Sequence, residues 1–428
     1  MTSRRRLRPR TSATGGRYRW VTGQYRSRIA HRLAGKSLTR MAHMMPTALQ
    51  LAVLQACLNR LPARRHAVVA GFPDDEGNSV EVVRGLAGRV PVYWLVAGDP
   101  VSLAWLVSDS AGARDVRCIR RNSVRAYWAY VTARYVFFTH GLYGSPNPPP
   151  HKTFVNLWHG DGPKRRSGFA TIRSTFVVSG TQLWGEGRAD GFGVGKLGVL
   201  ISGNPRVDQF DRPADNDALH ALGLDPSKPF VLWLPTFRTT QYRGNRVGDV
   251  RNWSDAHKLS LSANIRSTLT QAAADAQAAG LTLAVKPHQL DADDYASTGL
   301  HRITNAGMLD AHVSLYRLLA RANGLVTDYS SVWTDFLVMD RPIGFYCPDL
   351  SQYVANRGLN VDDYPALLPG RLLWSPSDFR SFLRDCVDES PASKARRYQS
   401  IARVGAETRP HATHRLLDAL GIRAPGRP

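Results

Sequence analysis

From about residue 66 onward, apolar runs of four to eight residues recur along the chain, each closed by glycine, proline or a polar side chain. HAVVAGF (66–72), VPVYWLVA (90–97), VRCI (116–119), YVFFTH (135–140) and TFVNLWH (153–159) are rich in β-branched and aromatic residues and predict strands. Helical patterns such as SVRAYWAYVTA lie between them. A second series, FVLWLPT (230–236), LTLAVKPH (281–288), GLVTDYS (324–330) and PIGFYC (342–347), alternates with helices predicted over 260–279 and 309–322. Such alternation predicts an α/β chain of two doubly wound halves. The polar, proline-bearing stretch 203–217 suits the connection between them. Near the end, 375–388 and 391–408 read as helices, with Ser375 or Ser377 as caps.

Charge changes this picture mainly at one end. The chain of 428 residues carries +22, but 15 of its basic residues precede the first acid, Asp74, which leaves +7 for the remaining 355 residues. Residues 1–65 therefore form a basic arm, with an amphipathic helix expected between Pro46 and Pro62, too short and polar to span a bilayer. The arm reads either as a hold on an anionic membrane surface or as a solvated tail, with a transit peptide as a third reading. Because the folded part lacks a recurring basic and aromatic surface, no nucleic-acid partner is expected. Cys57, Cys118, Cys347 and Cys386 have no CxxC spacing, so neither a zinc site nor a disulfide framework is indicated and a reducing cytoplasm is the simpler setting. The acidic run DADDY (291–295) reads as a solvated turn, and no metal site is expected.

Candidate chemistry gathers at the predicted strand ends. In NLWHGDGPKR the apolar run breaks at His159 into a glycine-rich turn, which puts an imidazole where open α/β sheets bind ligands; a core histidine bonded to backbone is the plainer reading. LAVKPH sets Lys286 and His288 around a proline, a pairing that suits a phosphate gaining charge. In GLVTDYSSVW a strand ends at Asp328, and Ser330 and Ser331 open a helix either as caps or as a cradle for a diphosphate. WLPTFR offers Arg238, and SGNPRVDQF offers Asn204 and Arg206. Arg357 lies in a glycine-punctuated loop that reads as a lid or simply as a loop.

Taken together, WHGDGPKR (158–165), SGNPRVDQF (202–210), LPTFR (234–238), KPH (286–288), VTDYSSVWTDF (326–336), DRPIGFY (340–346) and the RGLNVD-to-LPG loop (357–370) resemble the CDP-glycerol glycerophosphotransferase family, the teichoic acid primases and polymerases. The resemblance runs from about residue 66 to 400. It implies a GT-B fold, two Rossmann-like domains facing across a cleft: an acceptor domain over 66–203 and a donor domain over 204–428. It also implies transfer of glycerol phosphate, or a related polyol phosphate, from a CDP-linked donor to a hydroxyl of a lipid-linked acceptor, with CMP released at the cytoplasmic face of the membrane. By the same resemblance His159 and His288 are the catalytic pair, and Arg238, Lys286, Ser330, Ser331, Asp328 and Arg357 bind the donor. Asp161 and Gly162 depart from the family's threonine and proline at this point. No cofactor is implied, and Mg²⁺ assistance, the identity of the polyol, and primase versus polymerase action stay open. A GT-B glycosyltransferase using a sugar nucleotide is the alternative, because one fold hosts both chemistries.

Overall fold

The protein, described by a computed structural model at residues 47–110, 112–164, 171–236, 240–242, 250–252, 263–287 and 295–423, is built on two parallel sheets. Helix α1 (Thr47–Arg60) precedes the first sheet and docks on it rather than standing apart in an arm. Leu54 and Leu58 are buried, Gln50 donates to the Tyr127 hydroxyl (3.1 Å), and Gln55 donates to the Asn147 carbonyl (3.0 Å). Strands β1 (Arg64–Ala70), β2 (Val92–Val96), β3 (Val116–Arg120), β4 (Ala133–Phe138), β5 (Thr153–Asn156), β6 (Phe176–Ser179) and β7 (Val199–Ile201) pair in the order β3-β2-β1-β4-β5-β6-β7. The α-helices between them are α2 (Gly77–Leu86), α3 (Val124–Thr132) and α4 (Gln182–Phe192).

Both faces of this sheet are covered, which is why its central strands read as unbroken apolar runs instead of alternating ones. Along β1, Ala67 and Val69 enter the core shared with Val80, Val83 and Leu86 of α2. Val68 and Ala70 enter the opposite core, shared with α1 and α3.

The second sheet contains β8 (Phe230–Trp233), then, beyond the antiparallel ribbon β9 (Thr240–Tyr242) and β10 (Val250–Asn252), β11 (Thr282–Val285), β12 (His301–Arg302), β13 (Gly324–Thr327), β14 (Ile343–Phe345) and β15 (Arg371–Leu372). Its order is β12-β11-β8-β13-β14-β15. Helices α5 (Ala263–Ala278), α6 (Val332–Phe336), α7 (Leu350–Arg357), α8 (Pro376–Val387) and α9 (Pro391–Val404) accompany it. Ser375 and Asp378 form a reciprocal capping box at α8, as the sequence suggested for Ser375. The helix expected over 309–322 is instead two short pieces, Asn305–Asp310 and Leu315–Leu319, because Ser314 caps the second through the Arg317 N–H. In each sheet the strand order reverses once, between β1 and β4 and between β8 and β13, and the crevice outside the carboxyl ends there is the expected ligand edge.

The lobes are joined twice. Pro205–Asp211, a 3₁₀ turn, leads out of the first sheet and packs against α2. After α9 the chain returns, and the last helix, α10 (Ala412–Ala419), buries Leu416 and Leu417 in the first sheet's core beside Val80 and Leu86. The second domain expected over 204–428 thus gives up its final described helix to the first lobe. Asp208 fixes that return by accepting the Ala412 (2.7 Å) and Thr413 (2.9 Å) N–H groups at the positive end of α10.

Candidate active site

β5 ends at Asn156, earlier than its apolar run, because Trp158 takes a left-handed φ of 54° and turns the chain toward the other lobe. Asn156 Oδ1 accepts the Trp158 N–H (3.0 Å), and Asn78 donates to the Trp158 carbonyl (3.2 Å), so the turn is held from both sides. Gly160 follows at φ 135°. A Cβ there would lie 2.4 Å from Ser331 Oγ and 2.7 Å from Arg206 Nη2; at Gly162 it would lie 3.0 Å from Ser331 Cβ. The glycines of this motif allow the first lobe's loop to touch the start of α6 in the second.

A buried polar network surrounds that contact. Asp161, fully buried, accepts from Ser179 Oγ (2.7 Å), the Gly180 N–H (2.6 Å) and Asn204 Nδ2 (3.1 Å), and pairs with Arg188 at 2.6 Å. Asn204 also donates to Asp335 (2.7 Å), which accepts from Arg206 Nη2 (2.6 Å) and the Tyr316 hydroxyl (2.6 Å). Arg206 Nη1 donates to the His159 carbonyl (3.0 Å), and Thr334 of α6 donates to the Asp161 carbonyl (3.3 Å). Asn360 adds a second strap: its N–H donates to Pro163 (2.7 Å) and its Oδ1 accepts from Trp184 Nε1 (3.1 Å). Asn204 Oδ1 and Glu76 Oε1 are buried without a hydrogen-bond partner, but Asp161 is paired with Arg188 and Asp335 with Arg206, the condition under which buried charges hold a geometry instead of weakening it. Glu76 is the strained one. One oxygen accepts the Ser79 N–H (3.1 Å) and the other is 3.6 Å from Arg206 Nη1; burial pushes the carboxyl up to about 7 against that cation and the backbone donors.

His159 itself is half-buried at the first sheet's edge. Its ring lies parallel to that of His140, with centroids 4.2 Å apart at 4°, and 4.0 Å from Trp158. In the second lobe, Asp328 at the end of β13 is buried, and its carboxylate takes the Thr236 N–H (2.8 Å) and hydroxyl (2.5 Å). That acid fixes Thr236, three residues beyond the end of β8. Lys286 ends β11, where burial lowers its pKa. Ser330 Oγ accepts the Val332 N–H at 3.4 Å, and Ser331, at the cap position of α6, makes no side-chain cap bond. His288, Arg238 and the Arg357 side chain lie outside the described residues.

The structure thus brings His159, Asn204, Arg206 and Ser331 together and sets Asp328, Lys286 and Ser330 on the opposing sheet edge. Residues not singled out from sequence are Glu76, Asn78, His140, Arg188, Tyr316 and Asp335; Asp335 sits inside VTDYSSVWTDF (326–336), Glu76 and Asn78 inside AGFPDDEGNS (70–79), which resembles the same family more loosely, and His140 ends the run YVFFTH (135–140). Among the described residues no group of three or more His, Cys, Asp or Glu side chains is placed to hold a metal ion, and no helix is long and apolar enough to cross a membrane.

A family model described as CDP-glycerol:poly(glycerophosphate) glycerophosphotransferase matches residues 90–420. A teichoic acid poly(glycerol phosphate) polymerase of Bacillus spizizenii is 25% identical over 285 residues, covering 60% of this chain and 68% of the relative. A teichoic acid glycerol-phosphate primase of Bacillus subtilis is 24% identical over 239 residues, covering 51% of this chain and 55% of the relative, so the chain spans only about half of that protein. In architecture, a solved structure of the wall teichoic acid polymerase TagF superposes with a TM-score of 0.65 at 16% identity over 94% of this chain and 96% of that one. Another, of a TagF variant soaked with CDPG, gives 0.62 at 16% identity over 96% and 98%. The two-lobed GT-B arrangement expected from the sequence is the one found.

Proposed function

Since the chain belongs to the CDP-glycerol:poly(glycerophosphate) glycerophosphotransferase family, we propose that its cleft moves glycerol phosphate, or a related polyol phosphate, from a CDP-linked donor to a hydroxyl of a lipid-linked acceptor in teichoic acid or related polymer synthesis. The observation that carries this reading is the contact of the His159 loop with the Ser331 end of α6, made at Gly160 and Gly162, which brings the loop that bears an imidazole in one lobe to a hydroxyl-bearing helix start in the other.

In that arrangement His159 takes the proton of the acceptor hydroxyl. The oxygen forms a bond to the polyol-bearing phosphorus, the bond from that phosphorus to the CMP oxygen breaks, and CMP leaves with the electron pair. Lys286, Ser330 and Ser331, with Arg238, His288 and Arg357, take the charge of the diphosphate. Asp328 acts through Thr236, whose N–H and hydroxyl it holds. Asn204 and Arg206 hold the two lobes in register. The protein supplies position and charge neutralisation more than covalent chemistry.

A peripheral place on the cytoplasmic membrane face is part of this proposal, and the surface supports it as well as the basic arm. Leu49 and Val53 of α1 and Val124 and Trp128 of α3 are exposed on helices that share one face of the first sheet. Arg64 lies 5.4 Å over the Trp128 ring, and Arg60 and Arg125 on these helices, Arg65 on β1 and Arg134 on β4 are exposed. Apolar anchors ringed by cations suit an anionic bilayer surface.

The test is purified protein incubated with a panel of CDP-alcohols and a lipid-diphosphate acceptor, reading CMP release and product mass. CMP release with a CDP-polyol is expected, falling about 10²–10⁴-fold in His159→Ala. Release of UDP from UDP-sugars instead, or near-parental turnover by His159→Ala, would overturn the reading.

A further inference from the structure

Residues 158–163, the loop that bears His159, belong to no helix or strand, so their carbonyls have no ladder to join. Each of the six nevertheless accepts a hydrogen bond. Asn78 donates to Trp158 (3.2 Å), Arg206 Nη1 to His159 (3.0 Å), Arg188 Nη2 to Gly160 (2.6 Å) and Thr334 Oγ1 to Asp161 (3.3 Å). The last two carbonyls accept from one residue: Asn360 reaches Gly162 through Nδ2 (3.4 Å) and Pro163 through its backbone N–H (2.7 Å). Residues 158–160 are thus held by the first lobe and the connecting turn, and residues 161–163 by the second lobe.

The remaining polar atom of the Asn360 side chain also turns to the first lobe. Its Oδ1 accepts from Trp184 Nε1 (3.1 Å), and its neighbour Leu359 forms an antiparallel bridge with Lys164. Trp184 belongs to α4, yet its ring is buried in the second lobe's core, 5.6 Å from Trp333 of α6 and edge-on at 80°. The Asn360 amide therefore meets an indole that both lobes grip. The same segment follows directly from α7, whose last residue is Arg357, and Gly358 turns the chain there at φ 72°. The stretch that reads from sequence as a lid or a plain loop is, at this end, bound along the His159 loop.

A general base works only within hydrogen-bond reach of its hydroxyl, and a displacement of about 1 Å costs on the order of 10²-fold in rate. Arg206 pins the loop at His159 itself; Asn360 pins the turn that follows, and without it the loop is free to pivot about the first point. We propose that Asn360 is a positioning residue for His159, one that sets the acceptor-side base by reference to the segment carrying Arg357. This rests on the reading of His159 as the base. What Asn360 supplies is placement and not affinity for the donor.

The experiment compares full-length parent, Asn360→Ala and Asn360→Asp. Asn360 is exposed, so water replaces its amide in Asn360→Ala and the urea midpoint stays parental, but water does not hold the loop. CMP release from CDP-glycerol should lose about 10-fold in kcat with KM for CDP-glycerol within about 2-fold. Asn360→Asp keeps an oxygen for Trp184 Nε1 and should recover most of the loss. Carbethoxylation of His159 by diethyl pyrocarbonate, read by peptide mass against the exposed His411, reports the loop without turnover. A His159 rate that changes in Asn360→Ala and returns in Asn360→Asp supports the assignment even if no protein releases CMP, in which case the proposed transfer alone fails. Parental His159 labelling in Asn360→Ala, a parental kcat in that variant, or changes that track a lowered urea midpoint overturn it.

Discussion

Two polar seams border the segment that connects the lobes of this molecule, and they are built in opposite ways. On the inner side, Asp161, Asn204, Arg206 and Asp335 are buried and satisfy one another, and the ion pairs are close to fully desolvated. On the outer side, an opening of about 350 Å³ is lined by Glu81, Arg84, Asp109, Asp208, Arg212 and His411, and here the carboxylate of Asp109 is 65% exposed. Both seams use arginine and carboxylate, yet the same pair has different worth in the two places. In water an ion pair contributes about 0–1 kcal/mol, whereas removing one partner of a buried pair leaves an uncompensated charge and costs about 3–5 kcal/mol. The inner seam therefore fixes where His159 stands, and the outer seam lies beside the joint without dictating it.

The largest expected effect comes from breaking the inner seam at Arg206. Arg206→Ala removes the charge from Asp335, the contact with Glu76 and the donor to the His159 carbonyl at once. Urea unfolding should show a loss of about 3–5 kcal/mol, and CMP release should fall with it. Arg206→Lys should recover little, because an ammonium does not reproduce the fork that meets Asp335 through both Nε and Nη2. Parental stability and turnover in Arg206→Ala would show that the buried network is not what sets the junction.

Glu76 sharpens the comparison through pH. Its carboxyl ionises at about 7 in the fold, against 4.5 ordinarily, because burial outweighs Arg206 and the donors of Ser79 and Asn78. A folded state that keeps a proton longer than the unfolded chain gains most below pH 4.5. That contribution is lost as pH rises to about 7, above which it is flat. Glu76→Gln cannot ionise, so its stability relative to the parent should improve by about 1–3 kcal/mol between pH 5 and pH 8, read as a difference in urea midpoints at each pH. Parallel curves for the two proteins across that interval would place the proton elsewhere.

How far the sequence reaches also divides along these seams. The central strands were legible because burial on both faces writes itself as an apolar run, as in Phe230–Trp233 and Thr282–Val285. The edges were not: β12 and β15 have two residues each, and neither β6 nor β7 was distinguished. Of the site, His159, Asn204, Arg206 and Ser331 were named from their places at strand and helix ends. Asp335 was not, since its partners Asn204 and Arg206 stand 131 and 129 positions away and no periodicity records such a pairing. Asp161 was visible only as a departure from a motif. What it does became clear once Arg188 was found against it, because a buried acid is readable only together with its counter-charge. His140 ends its apolar run like any polar strand terminus, and only the 4.2 Å stacking distinguishes it.

The smallest effect is expected at the outer seam, and it tests the comparison as sharply as the largest. Asp109 receives two bonds from Arg84, one of them from Nη2 at 3.1 Å, and that hydrogen bonding holds its carboxyl below the usual range. By geometry alone this bidentate pair matches those of the inner seam. Solvent decides otherwise: Asp109 is mostly in water, and Arg84 keeps a second acceptor in the Leu106 carbonyl (2.9 Å) when the carboxylate is neutralised. Asp109→Asn should therefore change stability by no more than about 0.5 kcal/mol and leave CMP release at the parental level, with the small loss vanishing as salt is raised toward 1 M. A loss comparable to that of Arg206→Ala would mean that the two seams act as one cooperative unit and that burial is not what separates them.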